Sequence, residues 1–144
     1  MELKGKKVLV FGAGISGIGS CGLLEREGAE VILYDGKADL DIEKVRGQLG
    51  SDTVQIMTGT FPEELLEKLD LVVISPGVPT DLPVVLRMKE KNIPVWGEIE
   101  LAYVCGKGDI LGITGTNGKT TTTSLLGEIM KNAFESVFVV GNIG

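Results

Sequence analysis

The sequence contains no histidine, which excludes His-based catalytic triads and His-ligated metal centres within its 144 residues. Cysteine is nearly absent. Cys21 and Cys105 stand too far apart for CxxC or metal-ligand spacing, and they read as two packed thiols in a reducing compartment. Aromatic residues make up only 5%. No apolar run approaches the ~18 residues that cross a bilayer. The N-terminus, MELKGKKVLVFGAG, has no long apolar stretch before its first turn signal, so no secretory leader is expected there. Positive charge is also short. Lys and Arg number 14 against 20 Asp and Glu, giving a formal net charge of −6. General binding to nucleic acid or to an anionic membrane needs clustered positive charge, so an acidic chain is a poor candidate for either, and neither partner is expected. A soluble, cytoplasmic protein is expected.

What is abundant is glycine: 21 of 144 residues, against an average usage of ~7%. Hydrophobic residues reach 43% and charged residues 24%, close to globular averages. Glycine combined with Val, Ile and Leu suggests α/β layers with tight loops near bound phosphates.

The chain alternates. Residues 7–11 (KVLVF), 30–34 (EVILY) and 71–75 (LVVIS) are short apolar runs of the kind that form buried parallel strands. Residues 54–57 and 93–96 are weaker strand candidates. Helices are expected over 18–27, 42–49, 62–69 and 82–91, with Gly28 stopping the first and Pro83 early in the last. Residues 1–96 therefore carry enough β/α alternation for one doubly wound parallel sheet, Rossmann-like in its first βαβ unit. Residues 97–104 read as a connecting helix and 106–108 as a hinge. A second βαβ unit is expected from a strand at 109–114, a helix after Lys119 and a strand at 134–140. That is the opening of a P-loop ATPase domain, which needs further strands and an acidic Mg²⁺ ligand. The expected division is 1–96 and 97–144, and the chain is expected to be the N-terminal part of a longer protein.

Two glycine loops carry the chemistry. Gly115-Thr116-Asn117-Gly118-Lys119-Thr120-Thr121 lies between the expected strand and helix. Bare backbone N–H groups and a helix N-terminus cradle a phosphate chain. Lys119 is placed to spread β/γ-phosphate charge, and the Thr120 hydroxyl to ligate Mg²⁺. The spacing departs from the strict GxxxxGK[ST] pattern, because Ile113 stands where the first Gly belongs. The competing reading is a Gly/Thr-rich turn with an incidental Lys.

The other loop is Gly12-Ala13-Gly14-Ile15-Ser16-Gly17, followed by Asp35 at the end of the second strand. It fits a dinucleotide fingerprint, with the carboxylate set for a ribose hydroxyl. The alternative is that these glycines only pack the first helix on the sheet. NAD, FAD and a UDP-sugar all present a pyrophosphate, so the loop does not choose among them. Ser75-Pro76-Gly77 follows a strand and reads equally as a crevice lining or a plain turn. Asn142 is similarly balanced. Glu98 and Glu100 read as solvated charges.

GAGISG, ISPGVP, WGEIEL, GITGTNGKTTTT and VGNIG, in this order, resemble the Mur ligases, the ATP-dependent amide ligases of the peptidoglycan stem peptide. The resemblance covers the whole chain and is nearest the branch that adds D-glutamate. It implies UDP-N-acetylmuramoyl-L-alanine and D-glutamate as substrates, with ATP and Mg²⁺. Gly14, Ile15, Ser16 and Gly17 would then face the UDP diphosphate. Asp35 and Gly36 would meet the uridine, and Ser75, Pro76 and Gly77 would border the same crevice. Asn142 would touch the muramoyl group, although Val140 replaces one glycine of the family's GGNIG pattern. Gly115, Thr116, Asn117, Gly118, Lys119, Thr120 and Thr121 would hold ATP, with Lys119 catalytic and Thr120 on the metal. A monomer is expected, with self-association where a truncated second domain leaves apolar surface bare. Three rivals stand beside this reading: a sibling ligase adding another amino acid, a nicotinamide-dependent dehydrogenase domain, and a non-catalytic UDP-sugar-binding module.

Overall fold

The computed structural model describes residues 2–141. They fall into two compact units, which divide between Gly106 and Lys107. The first unit extends past residue 96, because the helix that follows the last strand packs onto the sheet.

The first unit is built on a five-stranded sheet in the order β3-β2-β1-β4-β5. Its strands are β1 (Lys7–Phe11), β2 (Glu30–Asp35), β3 (Gln55–Thr58), β4 (Leu71–Ile74) and β5 (Val95–Gly97). Every pairing is parallel. The apolar runs land in the centre: β1 and β4 are almost wholly buried, as strands covered on both faces must be. The expected fold class, a doubly wound parallel α/β sheet, is the observed one.

Side chains alternate between two cores. Leu9, Phe11, Ile32, Tyr34, Val72 and Ile74 pack with Leu65, Val85 and Met88 on one face. Val8, Val10, Val31, Leu33, Leu71 and Val73 pack with Cys21, Leu24, Val45 and Leu101 on the other. The first face is covered by a 3-10 turn over Glu63–Glu67 and by α3 (Pro83–Glu90). The second is covered by α1 (Ile15–Arg26), α2 (Ile42–Leu49) and α4 (Glu98–Cys105).

Local chemistry sets these boundaries. α2 begins at Asp41, whose carboxylate accepts the Lys44 N–H at 3.0 Å, and ends at Gly50. α3 starts on Pro83, where a missing N–H costs nothing. α1 begins three residues earlier than its apolar pattern predicts, because Gly14 serves as its N-cap. That shift brings Ile15, Ser16 and Gly17 into the first helical turn.

Among the described residues the second unit holds one helix, α5 (Lys119–Lys131). The strands expected at 109–114 and 134–140 carry no ladder pairing among the described residues. A parallel strand gains its hydrogen bonds and burial only from neighbouring strands, and this short unit supplies none. Ile110, Leu111, Phe138 and Val140 are accordingly exposed. No helix among the described residues is long and apolar enough to cross a membrane.

Candidate nucleotide-binding loops

Loops at the C-terminal ends of parallel strands share one edge of the sheet. β1 ends at Phe11, and the chain turns at Gly12 with φ +110°, in the left-handed region. A β-carbon on Gly12 would lie 3.0 Å from Ser75 Cβ and 3.2 Å from Val78 Cγ2. A β-carbon on Gly17 would lie 1.9 Å from the Gly12 carbonyl oxygen. The loop closes on itself through these two glycines. Gly14, Ile15 and Ser16 are exposed, while Gly17 is buried. The first N–H groups of α1 have no acceptor within the helix, and no acidic residue sits in that turn. An anion placed there meets donors and a favourable helix dipole with no opposing carboxylate in the turn.

Asp35 is tied into this loop. Its Oδ2 accepts the Ala13 N–H at 2.9 Å, and its Oδ1 accepts the Lys37 N–H at 3.0 Å. Each oxygen keeps acceptor capacity for a ligand N–H or O–H. Gly36 is exposed beside it. Behind them the Tyr34 hydroxyl donates to the Gly59 carbonyl at 2.7 Å. Burial, and next the Asp35 charge, push the Tyr34 phenol upward, so it stays neutral.

Ser75 is buried under the same loop, and Pro76 and Gly77 are exposed. The Ser75 N–H donates to the Phe11 carbonyl at 3.0 Å, and the Ser75 carbonyl accepts the Val78 N–H at 2.9 Å. Its hydroxyl donates to Glu98 Oε1 at 2.9 Å, with the Gly12 carbonyl at 3.5 Å. Glu98 is thus no freely solvated charge. It reaches the loop because it directly follows β5, whose end lies on the same edge. Asn142 lies outside the described residues.

In the second unit, Gly115–Gly118 forms an exposed loop leading into α5, and Lys119–Thr121 are its exposed first residues. Gly118 is the N-cap, with φ +73°. The Lys119 ammonium donates to the carbonyls of Gly115 and Thr116. Thr120 and Thr121 occupy the first turn, which carries no acidic residue. Among the described residues no three His, Cys, Asp or Glu side chains converge as a metal site. Thr120 offers one exposed hydroxyl oxygen.

The Mur ligase MurD-like N-terminal domain matches residues 6–97, and the Mur ligase middle domain matches residues 113–144. The chain belongs to the Mur ligase family. A UDP-N-acetylmuramoylalanine–D-glutamate ligase of Lachnospira eligens is 59% identical over 144 residues, covering 100% of this chain and 32% of the relative. The ligase of the same name from Lachnoclostridium phytofermentans is 54% identical over 145 residues, with the same coverage. Among solved structures, a pseudomurein peptide ligase type C from Methanothermus fervidus superposes with a TM-score of 0.57 and 26% identity. It covers 89% of this Mur ligase chain and 26% of its own. This Mur ligase segment thus spans about a third of the length of the curated relatives it matches.

Proposed function

We propose that this chain supplies the UDP-substrate domain and the ATP loop of a cytoplasmic ligase that joins D-glutamate to UDP-N-acetylmuramoyl-L-alanine. The observation that carries the reading is a tightly closed glycine loop with a free helix N-terminus at residues 12–17, in a chain whose own full length aligns with part of relatives bearing that ligase name.

The exposed first turn of α1 receives the diphosphate on its free N–H groups. Asp35 and Gly36 take the uridine, while Ser75, Pro76 and Gly77 border it. Asn142 meets the muramoyl group. Gly115–Thr121 wraps the ATP phosphates. Lys119 leaves the Gly115 and Thr116 carbonyls and pairs with the γ-phosphate, where its charge stabilises in-line transfer. The L-alanine carboxylate attacks that phosphorus and ADP departs, leaving an acyl phosphate. The D-glutamate amine then attacks the acyl carbon, phosphate leaves and the amide forms. An exposed hydroxyl is a hard oxygen donor that suits Mg²⁺, so Thr120 would hold the ion as one ligand among several. Mg²⁺, when bound, neutralises phosphate charge.

The test is phosphate release by the complete ligase with UDP-N-acetylmuramoyl-L-alanine, D-glutamate and ATP·Mg²⁺. Lys119→Ala is expected to abolish release while leaving calorimetric binding of the UDP substrate close to wild type. Undiminished release by Lys119→Ala would contradict the role given to this residue. Preference for NAD over the UDP substrate would contradict the assignment of the first domain.

A further inference from the structure

Glu98 stands in the first turn of α4, the element that follows β5. Its Oε1 accepts the Ser75 hydroxyl at 2.9 Å. Ser75 packs against the tightest part of the first loop. Its Oγ lies 3.1 Å from where a β-carbon on Gly12 would stand, and 3.1 Å from the corresponding point on Gly17. A serine hydroxyl has one hydrogen, and here it has two possible acceptors, the Glu98 carboxylate and the Gly12 carbonyl at 3.5 Å. The charge-assisted, shorter bond wins.

The choice of acceptor matters because the Gly12 carbonyl is the atom against which Gly17 packs. Deprived of Glu98, the Ser75 hydroxyl turns to that carbonyl and draws on it. Any displacement of the carbonyl moves Gly17, and with it the first turn of α1 that presents its N–H groups.

We infer that Glu98 is a positioning residue for the diphosphate loop, acting through Ser75. It fixes the serine hydroxyl away from the Gly12 carbonyl and so preserves the spacing of Gly12 and Gly17. With its hydrogen committed to Glu98, Ser75 offers a ligand only acceptor lone pairs. It therefore suits a donor N–H or O–H of the nucleotide and not a phosphate oxygen. This inference rests on the reading that the loop receives the UDP end of the substrate.

The experiment measures KM for UDP-N-acetylmuramoyl-L-alanine and kcat in the complete ligase, alongside thermal unfolding. Glu98→Ala is expected to raise KM about tenfold, with kcat within about twofold of wild type. Glu98→Gln retains an acceptor oxygen and is expected to restore KM to within about twofold. Ser75→Ala removes the hydroxyl altogether. Adding Glu98→Ala to it should raise KM no further, because the two side chains act as one unit. A merely structural glutamate would lower the unfolding temperature without this KM pattern and without rescue by Gln. Unchanged KM in folded Glu98→Ala, or additive effects in the double variant, would overturn the role of Glu98 while leaving the functional reading intact. A wild-type ligase that ignores the UDP substrate would overturn both.

Discussion

Gly17 packs directly on Gly12: a β-carbon on Gly17 would come within 1.9 Å of the Gly12 carbonyl oxygen. The obstacle is backbone and not a flexible side chain, so the main chain itself must shift to admit that contact. The last glycine of the loop is therefore demanded by the protein's own packing before any ligand is considered.

Gly17→Ala is accordingly expected to destabilise the first unit by ~1–3 kcal/mol, the range for overpacking a tight site. It should also weaken UDP-substrate binding, because the first turn of α1 must move. Gly14→Ala is the matched control for stability, since no protein atom lies within 4 Å of a β-carbon there. Chemical denaturation and calorimetry on the pair would check this, and equal stability of the two variants would contradict the packing argument.

Asp35 links two segments of the chain. Its two oxygens accept N–H groups from Ala13 and Lys37, at 2.9 and 3.0 Å. Asp35→Ala leaves both donors without this partner and should cost about 1 kcal/mol, moderated by partial solvent access. Amide hydrogen exchange at Ala13 is expected to accelerate in this variant. Unaltered exchange at Ala13 would show that the carboxylate does not hold the loop.

The sheet was legible because buried parallel strands write themselves as unbroken apolar runs. KVLVF, EVILY and LVVIS became the three central strands. The loop after β1 was legible because close backbone contact at Gly12 and Gly17 admits little but glycine. Other features depend on contacts remote in sequence. Residues 62–69 look helical, yet only Glu63–Glu67 forms a 3-10 turn, because Leu65 and Leu66 are drawn down into the core. The apolar segments flanking α5 read as strands but find no strand to pair with among the described residues. Glu98 looked like an ordinary helix-face charge. Its partner lies 23 residues away, and only the order of strands in the sheet brings the two together. The usable signal was its position immediately after a strand, on the edge where ligand loops gather.

Asp70 gives a pH-dependent signature. The backbone N–H of Lys7, donating to Oδ2 at 2.9 Å, and then the Lys6 ammonium hold its carboxyl below the ordinary value of 3.8. A carboxyl whose folded value is depressed binds its proton more readily in the unfolded chain. Its stabilisation is fully present above 3.8 and is lost as the pH falls through the lower folded value. Asp70→Asn is thus expected to be less stable than wild type at neutral pH, with the gap closing as the solution is acidified below that point. Denaturation midpoints across the acid range would reveal it, and a gap that widens on acidification would reverse the assignment.

Leu101 anchors the helix that carries Glu98. It is 1% exposed and belongs to the core shared with Leu24 and Val73, whereas Ile99 on the same helix is 81% exposed. Leu101→Ala removes buried methyl groups and leaves a cavity, at ~2–5 kcal/mol. Ile99→Ala removes a similar apolar volume from solvent-facing surface and should change stability by less than about 0.5 kcal/mol. Because Leu101 fixes α4 on the sheet, its truncation should also loosen the Glu98–Ser75 bond and raise KM for the UDP substrate, while Ile99→Ala leaves KM unchanged. A Leu101→Ala protein as stable as Ile99→Ala would mean that α4 is not seated on this sheet, and the placement of Glu98 would fall with it.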